Sequence, residues 1–274
     1  MAFPPELIEQ IIVAAQADTR CLRACALTSQ LFYSITSKYL FHRVYVCALP
    51  ANSAEKLHAI LKISPHLRPL IHSITAELTH CQIYPAAFSN LFLHKFPSLE
   101  RLDIVGASWR FMPKAAKDSI WSALRTNDLQ WLVLNGVVEF PLRQLQECQS
   151  LRKLALVNSS YDENPFSVST GMLAISAPIY LTSLRLAPFP VSPQEYATLC
   201  ESLNWLKSSS CPFSISRLQN LSLRTSHLEG ATSLFNELFR LIDPLSLEWL
   251  NLDIRHDGEL GYMVFYPSLR SLSS

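Results

Sequence analysis

From residue 99 onward one pattern of apolar positions recurs along the chain. Leucine stands at the first, fourth and sixth places of a six-residue unit, L-x-x-L-x-(L/I), with mostly polar or charged residues between. Copies open at Leu99, Leu129, Leu151, Leu181, Leu218 and Leu247, another opens at Leu269-x-x-Leu272, and a degenerate one lies at Ile71-x-x-Ile74. Five copies carry leucine at all three places, where 45 leucines in 274 residues would supply about one by chance. The inner alternation predicts a short strand whose leucines point one way and whose intervening residues point the other. Between strands the period changes to that of a helix. Lys114–Leu124 follows Pro113 and sets Ala116, Ile120, Ala123 and Leu124 along one side. Residues 194–206, after Ser192-Pro193, and residues 231–242, before Asp243-Pro244, carry the same spacing with helix start and stop signals.

The copies start 30, 22, 30, 37, 29 and 22 residues apart. Their mean, about 28, falls in the 20–29 range of leucine-rich repeats. The expected fold class is therefore α/β: an irregular leucine-rich-repeat solenoid of parallel strands with outer helices, its core between the two layers. Asn135 and Asn158 are assigned to the asparagine place of such repeats. The last copy meets the end of the chain, so the expectation is a solenoid truncated at its C-terminus. The residues between the leucines would line the concave face. On that face Arg101, Asp103, Trp131, Lys153, Arg185, Arg224, Trp249 and Asp253 are the candidate partner-binding residues, because Trp and Arg dominate interface energetics. Their mixed charges imply no single substrate chemistry, and the expected partner is a protein.

Before residue 48 the pattern is different. Phe3-Pro4-Pro5-Glu6-Leu7-Ile8-Glu9-Gln10-Ile11-Ile12 opens a helix with proline and acidic residues in its first turn. Leu7, Ile8, Ile11, Ile12 and Ala15 form its apolar face. Asp18 or Thr19 can cap a second helix, in which Leu22, Cys25, Ser29 and Phe32 recur at helical intervals; Tyr39-Leu40-Phe41 forms a third apolar patch. About 45 residues of short helices are few for independent stability, so a covering partner is expected. The spacing divides the chain into a helical domain at 1–47, a helical linker at 48–70 with a helix from Ala54 to Ile63, and the repeat domain at 71–274.

Composition narrows the function classes. The chain carries 23 basic and 22 acidic residues, net +1, which supplies no long-range field for nucleic acid or acidic membranes. Charged residues are 16%, hydrophobic residues 49% and mean hydropathy +0.16, and the repeat accounts for most of that apolar content. The longest uncharged stretch, residues 164–184, contains Pro165, Gly171 and Pro178 and is unsuited to a spanning helix. Glu6 and Glu9 stand where a signal peptide is basic, so the expected location is cytoplasm or nucleus. Seven cysteines without a CxxC spacing favour buried, reduced thiols. There is no GxGxxG, GxxxxGK[ST], GxSxG or HExxH, glycines number six, and the eight histidines are dispersed. The sequence thus calls for no cofactor, no metal and no catalysis. A hydrolase would need a pocket holding a perturbed histidine or carboxylate.

The N-terminal segment Phe3-Pro-Pro-Glu-Leu-Ile, with Leu22-Arg-Ala-Cys-Ala-Leu, Phe32 and Leu40-Phe41-His-Arg-Val44, resembles an F-box. It is closest in style to fungal, mushroom-type F-box-like proteins. The resemblance covers one sixth of the chain. Phe3, Thr28, Gln30 and Phe32 depart from the usual residues. The resemblance implies a non-catalytic substrate receptor of a cullin–RING ubiquitin ligase, its F-box docked on a Skp-type adaptor and through it on cullin. By position it implies adaptor contact for Pro4, Pro5, Leu7, Ile8, Ile11, Leu22, Cys25 and Phe32. Some of these apolar residues have a second reading, as the helices' own core. The alternative for the whole chain is an adaptor-independent repeat scaffold with a degenerate F-box.

Overall fold

The repeat's leucines become the buried rungs of one sheet. A computed structural model describes residues 4–47, 53–79, 86–125, 128–160, 178–187, 202–208, 211–225, 236, 238–243, 245–256 and 259–265. Three helices open it: α1 (Pro5–Ala14), α2 (Thr19–Ala26) and α3 (Gln30–Leu40). Then follow β1 (Arg43–Cys47), α4 (Ser53–Ile63), a 3-10 turn at Pro65–Leu70, β2 (Ser73–Glu77), α5 (Ala86–Phe92), β3 (Arg101–Val105), α6 (Lys114–Leu124) and β4 (Trp131–Asn135). A second 3-10 turn (Leu142–Glu147) leads to β5 (Lys153–Val157), β6 (Ile179–Tyr180), β7 (Ser183–Ala187), β8 (Phe213–Ser214), β9 (Asn220–Thr225), β10 (Trp249–His256) and β11 (Glu259–Phe265). The chain is a mixed α/β protein.

Nine strands form a single sheet in the order β1-β2-β3-β4-β5-β7-β9-β10-β11, parallel except for the antiparallel pair β10–β11; β6 and β8 pair separately. Register is uniform. Val44, Ile74, Leu102, Leu132, Leu154, Leu184, Leu221 and Leu250 align in one rung, and Ala76, Ile104, Leu134, Leu156, Leu186 and Leu223 in another. From β2 on these side chains are buried in one continuous core with Leu57 and Leu61 of α4 and Ala116, Ile120 and Leu124 of α6. Among the described residues, the return segment between β4 and β5 is only a 3-10 turn, held by Leu142 and Leu145.

Helix α6 spans the range that its spacing predicts. Of the other two helical return segments, 202–207 and the positions at 236, 238 and 239 are helical, and the remainder lies outside the described residues, as does the copy at Leu269. Two features depart from expectation. The helical run through Leu22, Cys25, Ser29 and Phe32 is broken: α2 ends at Ala26, and Ser29 caps α3 by accepting from the Phe32 N–H at 3.3 Å. Asp18 caps α2, accepting from Arg20 and Cys21. The sheet also begins earlier than residue 71, because Phe41-x-x-Val44-x-Val46 makes β1, which pairs with β2 inside the segment assigned above to the helical domain. Phe41 and Val44 pack on the large core, whereas α1–α3 hold a separate small one of Ile8, Ile12, Leu22 and Ile35.

Asn135 and Asn158 do not share a place. Asn135 ends β4 opposite Val105 and Val157, while Asn158 (φ 50°) stands with Gly106 (φ 68°) and Gly136 (φ 64°) in the left-handed turn just after each strand. There the N–H groups of Gly106, Gly136 and Asn158 donate to the carbonyls of Asn135, Val157 and Ala187. Glycine or asparagine suits that backbone because other side chains crowd it.

Candidate functional site

Strand alternation places all eight predicted partner-binding residues on the sheet face turned away from the leucine core. Arg101, Trp131, Lys153 and Trp249 share the first rung, Asp103 and Arg185 the third, and Arg224 and Asp253 face each other in the fifth. Each rung is positioned by the residue before it. The carbonyls of His42, His72, Glu100 and Gln130 each accept two N–H groups from the start of the next strand, between 2.8 and 3.1 Å. This arrangement stacks the two x positions of successive L-x-x-L units side by side.

The face divides into three parts. Over β9 and β10, Arg224 Nε donates to the buried Asp253 at 2.5 Å, four residues along β10 from the half-buried Trp249. Arg185 stands exposed on β7. Over β1 to β5 the groups are denser. Arg101 grips the buried Asp103 with two hydrogen bonds, Nε to Oδ1 at 2.8 Å and Nη2 to Oδ2 at 2.9 Å, and Thr75 donates to Oδ2 at 3.3 Å. The same guanidinium lies 3.7 Å from the centroid of the Trp131 ring, with the Lys153 ammonium at 5.4 Å. His72 Nδ1 donates to Glu100 Oε1 at 3.1 Å, and His42 stacks on His72 with centroids 4.7 Å apart.

These side chains enclose a cleft of about 180 Å³, lined by His42, Arg43, His72, Ser73, Glu100, Arg101, Gln130, Trp131 and Lys153. A neighbouring one of about 190 Å³ adds Tyr45, Thr75 and Asp103 and shares Arg43, Ser73 and Arg101. The sequence reading missed His42, Arg43, His72 and Glu100. Their signal was present: they occupy the x positions of Phe41-x-x-Val44 and Ile71-x-x-Ile74 and the first x of the copy at Leu99.

The predicted adaptor contacts separate by exposure. Ile8 and Leu22 are 3% and 1% exposed and belong to the helices' own core, against which Phe32 packs. Pro4, Pro5, Leu7 and Ile11 are exposed and Cys25 is half-buried. Exposed apolar side chains that the sequence reading did not single out are Val13, Leu31, Tyr33 and Leu27, the last 89% exposed at the end of α2.

Among the described residues no cluster of histidine, cysteine, aspartate or glutamate could hold a metal ion, and no helix is long and apolar enough to cross a membrane. Five described cysteines are free, and burial pushes the Cys148 and Cys211 thiols up to about 12. Cys21 departs from the expected burial and is exposed.

A second histidine pair joins α4 to the turn after α5: His94 Nε2 and His58 Nδ1 are 2.9 Å apart, one donating to the other. Partial burial, then Arg68 and His58, hold His94 below its ordinary 6.5. Partial burial, then His72 and Arg43, do the same to His42, with Glu100 opposing. The unfolded chain therefore takes up protons near pH 6.5 that the folded chain refuses, and stability is expected to fall as pH drops below about 6.5. Urea midpoints at pH 7.5 and 5.5 measure the slope, and the His42→Gln/His94→Gln variant should flatten it; an unchanged slope would assign the acid sensitivity elsewhere.

Neither a known protein family nor a curated protein matches the chain.

Proposed function

We propose that this chain is the substrate-recognition subunit of a Skp–cullin–F-box type ubiquitin ligase. In this reading α1–α3 are an F-box, the sheet and its return segments are an irregular leucine-rich-repeat solenoid, and the sheet face carrying Trp131 and Trp249 holds a protein substrate. The observation that carries the proposal is the surface of the N-terminal helices. Their own core is four residues, yet Leu7, Ile11, Val13, Leu27, Leu31 and Tyr33 stay in water. A small module that leaves this many large apolar side chains uncovered is built to be covered by a partner. The F-box resemblance supplies the kind of partner, a Skp-type adaptor. The chain would act by holding substrate close to the ubiquitin-loaded enzyme, with proximity as its whole contribution and no chemistry of its own.

Pull-down with a Skp-type adaptor tests this reading. The wild-type chain is expected to bind, and Leu7→Asp/Ile11→Asp to lose at least tenfold in affinity, because two charges would be buried unpaired at the contact. Both side chains are half-exposed, at 46% and 52%, so the variant keeps its fold, checked by circular dichroism. A wild-type chain that does not bind would sink the ligase reading and leave the scaffold.

A further inference from the structure

The cleft over β1–β5 is not charge-balanced, although the whole chain nearly is. Arg43, Arg101 and Lys153 face it as permanent cations, with His42 and His72 beside them. The two acids of this cleft and its neighbour are engaged: Asp103 accepts from Nε and Nη2 of Arg101, and Glu100 accepts from His72. Arg43 and Lys153 are exposed and form no ion pair among the described residues. Cationic groups already lie over the Trp131 ring.

Size and spacing narrow the ligand. Each cleft, at about 180–190 Å³, is smaller than the roughly 300–1,000 Å³ of enclosed small-molecule pockets. The two share Arg43, Ser73 and Arg101 and so run together across the strands. From β1 to β5 there are four strand spacings, about 19 Å, or about six residues of extended chain. The unpaired cations Arg43 and Lys153 stand on the strands at the two ends of that span. Anionic groups distributed along a chain meet them. A nucleic-acid strand fits less well, because the Trp131 ring is occupied by cations rather than open for base stacking.

We infer that this cleft binds an extended acidic peptide segment of about six residues, its carboxylates met by Arg43 at one end and Lys153 at the other. The inference rests on the reading that this sheet face takes a protein partner, and it names the partner's chemistry.

Fluorescence anisotropy with the full chain tests it, using fluorescein-labelled hexaglutamate, hexaglutamine and a six-nucleotide oligothymidylate. Hexaglutamate should bind at least tenfold more tightly than the other two, and weaken steeply between 50 and 200 mM salt, as a contact between exposed charges does (roughly one Debye length, about 10 Å, at 0.1 M). Arg43→Glu and Lys153→Glu should each cost at least tenfold, with the fold unchanged by circular dichroism since both side chains are exposed. Equal binding of the two peptides would overturn the acidic preference while leaving a peptide-binding face. Tighter binding of the oligonucleotide would overturn it in favour of nucleic acid. Failure of all three probes would overturn it outright. Adaptor pull-down reads the N-terminal helices alone, so its result separates failure of the ligase reading from failure of this one.

Discussion

Replacing Gly106 by alanine is expected to cost roughly 3 kcal/mol or more and lower the unfolding temperature by on the order of 10 °C, while the same change at Gly136 costs about 1 kcal/mol. The two glycines occupy equivalent turns, with φ of 68° and 64°, so the backbone strain of an L-residue is common to both. They differ in what a new methyl group meets. At Gly136 the nearest atoms are 3.7 Å away, ordinary van der Waals contact. At Gly106 the Cβ would collide with Thr79 Oγ1 and stand 2.9 Å from Thr79 Cα. The hydroxyl can rotate aside, but Cα is backbone, and the chain leaving β2 is tied there by the Leu78 N–H to the Val105 carbonyl at 2.7 Å. The strand end has to move or the ladder has to open. Thermal unfolding of both variants by circular dichroism decides it: equal midpoints would mean the close approach carries no cost.

Phe140→Ala should cost about 3–5 kcal/mol, the largest effect expected of a single core truncation here. Phe140 is 1% exposed. Its ring centroid lies 4.7 Å from Trp109 and 5.6 Å from Trp121, which are themselves 5.7 Å apart, and the Trp109–Phe140 pair meets edge to face. The three residues come from the turn after β3, from α6 and from the turn after β4. Removing the phenyl ring therefore deletes area from two adjacent repeats at once, and the indoles, held by separate backbone elements, cannot collapse into the space. Urea unfolding followed by tryptophan fluorescence measures the loss. A cost below 1 kcal/mol would show that the site relaxes and that the aromatic cluster is not a joint between repeats.

How much of this was legible beforehand follows from what each signal depends on. Strands β3, β4, β5, β7, β9 and β10 were visible because the leucine pattern repeats, and α6 because Pro113 and the Ala116–Ile120–Ala123–Leu124 spacing mark both its start and its face, whereas the short β6 and β8 carry no copy. β1 escaped for a chemical reason. The sheet asks only for an apolar side chain at the first, fourth and sixth places, and there Phe41, Val44 and Val46 meet that demand without a single leucine. Once β1 is missed, His42 and Arg43 have no strand to sit on, and the cleft they share with Arg101, Trp131 and Lys153 has no visible wall. The break between α2 and α3 was hidden differently: Ser29 satisfies helical spacing and also caps a helix, and only the chain's three-dimensional path selects the cap. The antiparallel return of β11 leaves no mark in the repeat, because residues 259–265 do not carry the L-x-x-L spacing.

The strands lie in the sheet in the order in which they occur in the chain, apart from the separate β6–β8 pair. Every parallel strand therefore has its hydrogen-bonding neighbours within one or two units of sequence, and no early strand waits for a late one to complete it. Such a sheet gains or loses a unit between any two neighbouring parallel strands by remaking only the two seams that flank it, since every parallel seam aligns the same apolar places. The span between Arg43 and Lys153 is thus a length counted in whole repeats, and inserting one repeat between β1 and β5 would lengthen that span by about one strand spacing, 4.8 Å, while leaving each flanking seam chemically unchanged.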